Sequence, residues 1–163
     1  MLNQDEPILV VADPGREEEA VVRLGRIGFD NVVGYLSGGM DSLHNRPDLV
    51  RRIARITAVA LAEERATPDA PVVLDVRSEK EWAAGHISNS LNVPLNHLRE
   101  RITELFPDRS VVVHCEAGYR SAIAASLLAQ AGYSNVMDLV GGFKAWAASK
   151  LPTETGASVS AGD

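Results

Sequence analysis

Apolar residues in this chain fall into short β-branched runs separated by longer stretches with helical spacing. After Pro71 the run VVLDV at 72–76, and later VVVH at 111–114, has the composition of strands buried on both faces of a parallel sheet. Between them Ser78 and Glu81 form an S-x-x-E capping box that opens a helix over 79–84, and Gly85 stops it. A short strand at 91–93 precedes Pro94. Leu95, Leu98, Ile102 and Leu105 then recur at helical spacing until Pro107 and Asp108 turn the chain. The loop 115–120 leads into the Ala-rich helix SAIAASLLAQA, with Ile123, Leu127 and Leu128 on one face and Gly132 as its stop. A strand at 136–139, the turn glycines Gly141 and Gly142, and a helix carrying Phe143 and Trp146 complete the series. Strands alternating with helices through short loops predict an α/β fold with a parallel sheet. The tail 152–163 offers little to bury and is predicted to be disordered.

The first forty residues repeat part of this pattern. The stretch 8–40 reads as strand, loop, helix, glycine stop, strand and Gly-Gly turn, in the order found over 111–143. At an offset of 104, Arg16, Ala20, Leu24, Gly28, Asn31, Val32 and Gly38 match Arg120, Ala124, Leu128, Gly132, Asn135, Val136 and Gly142. The loop of the first copy, ADPGR, is two residues shorter, and aligned strands place Asp13 where Cys115 falls in the second. A carboxylate cannot replace a thiol as nucleophile, so this copy is expected to be inert. It also lacks a counterpart of 72–95, which predicts an uncovered sheet edge and apolar face. Packing on the second unit, completion by a second chain in a homodimer, and excision from a longer polypeptide would each resolve this. The predicted division is a half unit over 1–42, a linker over 43–54, a complete domain over 55–151 and the tail.

Composition narrows the class. At 163 residues the chain suits one ordinary domain and a remainder rather than two full α/β domains. No apolar run approaches the roughly 20 residues that span a bilayer. The N-terminus lacks the basic and apolar regions of a signal peptide, which predicts a cytoplasmic protein. A formal charge of −6 argues against nucleic acid or anionic membrane as a partner. The single cysteine excludes an intramolecular disulfide and a Cys-rich metal site.

That cysteine, Cys115, stands where a buried parallel strand passes through a loop into a helix, the place where open α/β sheets bind ligands. Backbone N–H groups of the loop and first helical turn lack intrahelical partners and converge on an anion held there. Gly118 can take the positive φ of a tight cradle, and Arg120 is predicted to lie near the sulfur. Such surroundings lower a thiol below its free value of about 8.5 and favour the nucleophilic thiolate. Tyrosine phosphatases use C-x5-R, in which the loop encircles a phosphoryl group and the arginine clamps it. Here the spacing is C-x4-R, and the next residue is Ser121, so the tighter loop suits one sulfur atom better than a phosphate. A phosphatase or arsenate reductase is correspondingly the weaker reading.

Three separate stretches, LDVRSEKEWAAGHISNSLNVP, VVVHCEAGYRS and DLVGGFKAW, resemble the rhodanese homology domain, in order, across about 95 residues. The resemblance implies the rhodanese-like α/β fold, a central parallel sheet with helices on both faces, here preceded by a partial repeat of the same unit. It implies sulfurtransferase activity, with Cys115 as the persulfide-forming nucleophile and Glu116, Ala117, Gly118, Tyr119 and Arg120 completing the substrate-binding loop. Asp75 and Arg77, in the D-V-R motif, are similar to residues that support this loop. The half copy and the join RIARITAVALAEE resemble the tandem rhodanese tail that follows a metallo-β-lactamase domain in persulfide-dioxygenase-like fusions. The H-x-H-x-D-H motif of that enzyme is absent from the chain, so no metal chemistry carries over and no cofactor is expected.

Other polar residues have plainer readings. His86 reads as a turn residue anchoring its own loop, His114 as a satisfied core residue facing away from Cys115, and His44 and His97 as surface positions. Asp75 and Arg77 suit a structural ion pair as well as a loop-orienting one. The acidic run at 17–19 complements a helix dipole and needs no ligand. The reading from sequence is thus a sulfurtransferase that moves sulfane sulfur from thiosulfate or a low-molecular-weight persulfide to a thiol or cyanide. The alternative is a non-catalytic docking module, favoured by the Cys-less first copy.

Overall fold

The computed structural model describes residues 4–105 and 108–156, and the chain divides into two compact units at Arg52 and Ile53. In the first unit, β1 (Ile8–Val10) and β2 (Val32–Tyr35) pair in parallel and are joined through α1 (Glu17–Gly25). Glu17, Glu18 and Glu19 occupy the first turn of α1, where they offset its positive end. No residue of α1 is buried, and Leu9, Val33 and Tyr35 on the strands are exposed. Short 3-10 turns follow at Gly39–Leu43 and Pro47–Leu49, the second within the segment anticipated as a linker over 43–54, whose last residue opens the next strand.

The second unit continues with β3 (Ala54–Ile56), α2 (Ala58–Glu64), β4 (Val72–Asp75), α3 (Glu79–Ala84), β5 (His86–Ile87), β6 (Leu91–Asn92) and α4 (Leu98–Arg101). It ends with β7 (Val111–His114), α5 (Tyr119–Gln130), β8 (Val136–Leu139), α6 (Gly142–Ala148) and β9 (Thr153–Glu154). Five strands form one parallel sheet in the order β3-β8-β7-β4-β6, with helices on both faces. The alternation of each strand sorts its side chains into two cores. Leu74, Val76, Val111 and Val113 pack with Ala124, Ala125 and Leu128 of α5, whereas Val73, Val112 and Leu139 pack with Leu61 of α2 and Trp146 of α6.

Three sequence expectations change. The helical spacing from Leu95 to Leu105 is realised as 3-10 turns at Leu95–His97 and Ile102–Glu104 around the single α-turn of α4. Residues three apart eclipse in a 3-10 turn, which brings the buried Leu95 and Leu98 side by side. Pro107, read as part of the turn ending this stretch, lies outside the described residues. The tail is not irregular throughout. Thr153 and Glu154 pair antiparallel with Ile87 and His86, and Pro152 accepts a 2.9 Å hydrogen bond from the Trp146 indole, while 157–163 lie outside the described residues.

The third concerns the first unit's loop. Gly39 and Gly142 both have positive φ (56° and 59°), and a Cβ on either would sit closer than 3.0 Å to a loop carbonyl, that of Ala12 in the first unit and those of Cys115 and Glu116 in the second. Ala12, rather than Asp13, therefore starts the first loop at the place where Cys115 starts the second, and alanine offers no nucleophile.

Candidate active site

Strand alternation decides where the sulfur goes. His114 ends β7 and its ring is wholly buried, whereas Cys115, one residue on, joins the core on the α5 side of the sheet. Its side chain thereby meets the N-terminus of α5, where backbone N–H groups have no helical partner. The Gly118 N–H donates to Sγ at 3.2 Å, and the Ser121 hydroxyl lies within reach of both Sγ, at 3.7 Å, and the Gly118 carbonyl, at 3.1 Å, to one of which at a time it can donate. Gly118 caps α5 with φ 114°, a conformation that points its N–H back at the sulfur. Burial pushes the Cys115 thiol up. Hydrogen bonds from the N–H groups of Ser121, Gly118 and Ala117 and from the Ser121 hydroxyl outweigh it, so the thiol lies below its ordinary value.

The loop is held from outside by α6. Phe143 N–H donates to the Cys115 carbonyl at 2.8 Å and Lys144 N–H to the Glu116 carbonyl at 3.1 Å. With two carbonyls drawn toward one helix N-terminus, the loop can turn its N–H groups toward the sulfur. This close approach requires glycine at 142, since the obstructing atoms are backbone and cannot rotate away. The sequence showed Gly142 only as a turn residue.

Asp75 and Arg77 form a buried ion pair, 0 % and 2 % exposed, with Arg77 Nη2 2.7 Å from Asp75 Oδ2 and Nε 3.1 and 3.0 Å from the two carboxylate oxygens. Arg77 also donates to the Gly85 carbonyl at 2.7 Å, reaches Glu116 Oε2 at 3.2 Å, and stacks its guanidinium 4.1 Å from the centre of the Phe143 ring. The pair is thus both structural and attached to the loop. Glu116, whose negative charge the sequence leaves beside the nucleophile, is partly countered by this contact.

Arg120 lies close enough to Cys115 to interact with it, but its guanidinium is engaged mainly elsewhere. Its guanidinium makes a two-pronged ion pair with Glu81 of α3, Nη1 to Oε2 at 2.8 Å and Nη2 to Oε1 at 2.6 Å. Hydrogen bonding to Arg120 holds the Glu81 carboxyl down to about 2, and the same bonds raise Arg120, with a lesser attraction to Cys115. The sulfur is therefore surrounded chiefly by neutral donors rather than by a free cation. Glu81 and Ser121 went unassigned in the sequence, because Glu81 is fully accounted for as a capping residue and Ser121 as the start of a helix.

The remaining candidates fall as follows. Tyr119 is 83 % exposed, and Ala117 is exposed. His86 Nδ1 lies 2.9 Å from the Trp82 carbonyl and its ring stacks on Trp82, matching an anchoring role. His114 is less satisfied than anticipated. Nδ1 lies 3.2 Å from the Cys115 carbonyl, but Nε2 has no hydrogen bond and sits 3.6 Å from Asp75 Oδ2, because Asp75 is already engaged by Arg77. His44 and His97 are exposed. Among the described residues no cluster of His, Cys, Asp and Glu could hold a metal ion, and no helix is long and apolar enough to cross a membrane.

Fold and loop together define a parallel α/β protein that holds one thiol, shifted toward easier ionisation, at the C-terminal edge of its sheet beside amide donors. A model of the rhodanese-like domain matches residues 57–149, and the chain belongs to that family. It is 35% identical over 100 residues to a sulfurtransferase of Allochromatium vinosum, covering 61% of this chain and 94% of that one. It is 40% identical over 84 residues to thiosulfate sulfurtransferase GlpE of Ectopseudomonas mendocina, covering 52% and 76%. Among solved structures, a rhodanese-related protein of Thermoplasma volcanium superposes with a TM-score of 0.58 at 38% identity, covering 62% of this chain and 97% of that one. These relatives support a general sulfurtransferase role.

Proposed function

We propose that the second unit transfers sulfane sulfur through a persulfide on Cys115. The Cys115 thiolate attacks the outer sulfur of a donor. The donor's S–S bond breaks with its electron pair leaving on a thiolate or sulfite, and a new S–S bond forms on Cys115. An acceptor thiolate or cyanide then attacks the terminal sulfur, and Cys115 leaves as thiolate, so no net oxidant or reductant is consumed. The loop N–H groups and the Ser121 hydroxyl stabilise charge on sulfur in both halves. The observation that carries this reading is the sulfur itself, placed at an α-helix N-terminus with the Gly118 N–H 3.2 Å away.

Low-molecular-weight persulfides are the preferred donors. Glu116 follows the nucleophile, and the chain carries a net charge of −6, an unfavourable field for a dianion such as thiosulfate. Kinetics with glutathione persulfide and thiosulfate as donors, and cyanide or a thiol as acceptor, test the proposal. Parallel-line double-reciprocal plots and a higher kcat/KM for the persulfide are expected, and turnover that survives Cys115→Ser defeats the mechanism.

A docking module is the second reading. The first unit favours it, since we read that unit as a half copy of the rhodanese pattern with Ala12 in the nucleophile's place. Under that reading neither donor gives turnover above the Cys115→Ser background.

A further inference from the structure

Two charged side chains of the loop, Glu116 and Arg120, each meet a partner outside it, and the two partners differ in what they accomplish. Arg77 ties Glu116 to the buried Asp75 pair, whereas Glu81 takes the loop's one cation into a bidentate pair on the surface between α3 and α5. The donors nearest the sulfur are neutral, and the guanidinium is engaged more strongly by Glu81 than by Cys115. A guanidinium is, however, the group best matched to the oxygens of a sulfonate or other oxyanion, which it binds through two parallel N–H bonds. Glu81 already occupies that fork.

We infer that Glu81 is a specificity-determining residue, which by holding Arg120 withholds an oxyanion-binding fork from the donor and biases the site toward donors that carry no sulfonate beside the transferred sulfur. This rests on the sulfur-transfer reading above and goes beyond it by assigning the donor preference to a residue in another helix. Glu81 is a positioning residue, since it acts through Arg120 and touches no reacting atom. Its second task, accepting from the Ser78 N–H at 3.0 Å and completing the capping box of α3, can be separated from the first. Glutamine serves a capping box as well as glutamate does but lacks the charge that holds a guanidinium.

The test is a double-mutant cycle. Wild type, Glu81→Gln, Arg120→Ala and the double variant are assayed with thiosulfate and with glutathione persulfide, each against cyanide. Glu81→Gln is expected to raise the ratio of kcat/KM for thiosulfate to that for the persulfide by about tenfold, mainly through the KM for thiosulfate, the worth of one charge-assisted hydrogen bond to the donor. In the Arg120→Ala background the same substitution is expected to leave the ratio unchanged. An unchanged ratio in the single variant, or an equal rise without Arg120, overturns the inference. Should Glu81→Gln not fold, inhibition of the wild type by sulfate and sulfite decides. Weak inhibition at millimolar concentration is expected, and strong competitive inhibition overturns the inference. Failure of the underlying reading is distinguishable, because Cys115 would then gain no sulfur from either donor in any variant.

Discussion

Gly142 offers the sharpest test of how the loop is held. An alanine there would place its Cβ against the Cys115 carbonyl and 2.7 Å from the Glu116 carbonyl, atoms that cannot turn aside. Its φ of 59° adds left-handed strain of about 1–2 kcal/mol for a residue with a Cβ. Relief requires the loop to move off α6, which breaks the bonds from Phe143 and Lys144 to the two carbonyls, each worth about 1 kcal/mol. The sum is about 3–4 kcal/mol for Gly142→Ala. Gly118→Ala is the internal control. Its φ is 114° but nothing lies within 4 Å of a Cβ there, so only backbone strain, of about 1–3 kcal/mol, applies. Both tryptophans, Trp82 and Trp146, are buried in the second unit, so urea denaturation followed by their fluorescence reports on that unit alone. Gly142→Ala should lower the transition below Gly118→Ala and also slow alkylation of Cys115, as the donors around sulfur shift. Equal stability of the two variants, with alkylation unchanged, would refute the clamp.

Three further outcomes follow from the site. Arg77→Met leaves the fully buried Asp75 carboxylate without its partner and should cost about 3–5 kcal/mol in the same denaturation experiment, with Arg77→Lys failing to restore the bidentate geometry. Ser121→Ala removes one of the hydrogen bonds that lower the Cys115 thiol, so the pH profile of its iodoacetamide alkylation should move to higher pH. Glu81 has a folded-state pKa depressed from 4.5 to about 2, so its contribution is present above 4.5 and lost as pH falls toward 2. The acid limb of stability in that window should therefore be shallower in Glu81→Gln, by a small amount because the pair is about one-third exposed and screened.

The central strands were legible because they are buried on both faces: Val73 and Leu74, like Val112 and Val113, face opposite cores, and such strands admit few polar residues. The capping box at Ser78 and the glycine turns were legible because each is decided within a few residues. Strands β5 and β9 were not, since two-residue strands carry no periodicity and these two pair residues far apart in the sequence. At the site, Cys115 and its loop could be read from the strand-loop-helix order. The partners of that loop could not. Glu81 and Arg120 lie 39 residues apart, and the local cap explained Glu81 so completely that nothing called for a second role. Gly142 is likewise sufficient as a turn residue until the approach of the Cys115 carbonyl is seen.

The account stands or falls on sulfur reaching Cys115. Intact-protein mass after exposure to glutathione persulfide and removal of excess donor measures this directly. The account predicts a gain of one sulfur atom per chain, absent in Cys115→Ser and discharged by cyanide. No gain in mass, or a gain that persists in Cys115→Ser, would contradict it.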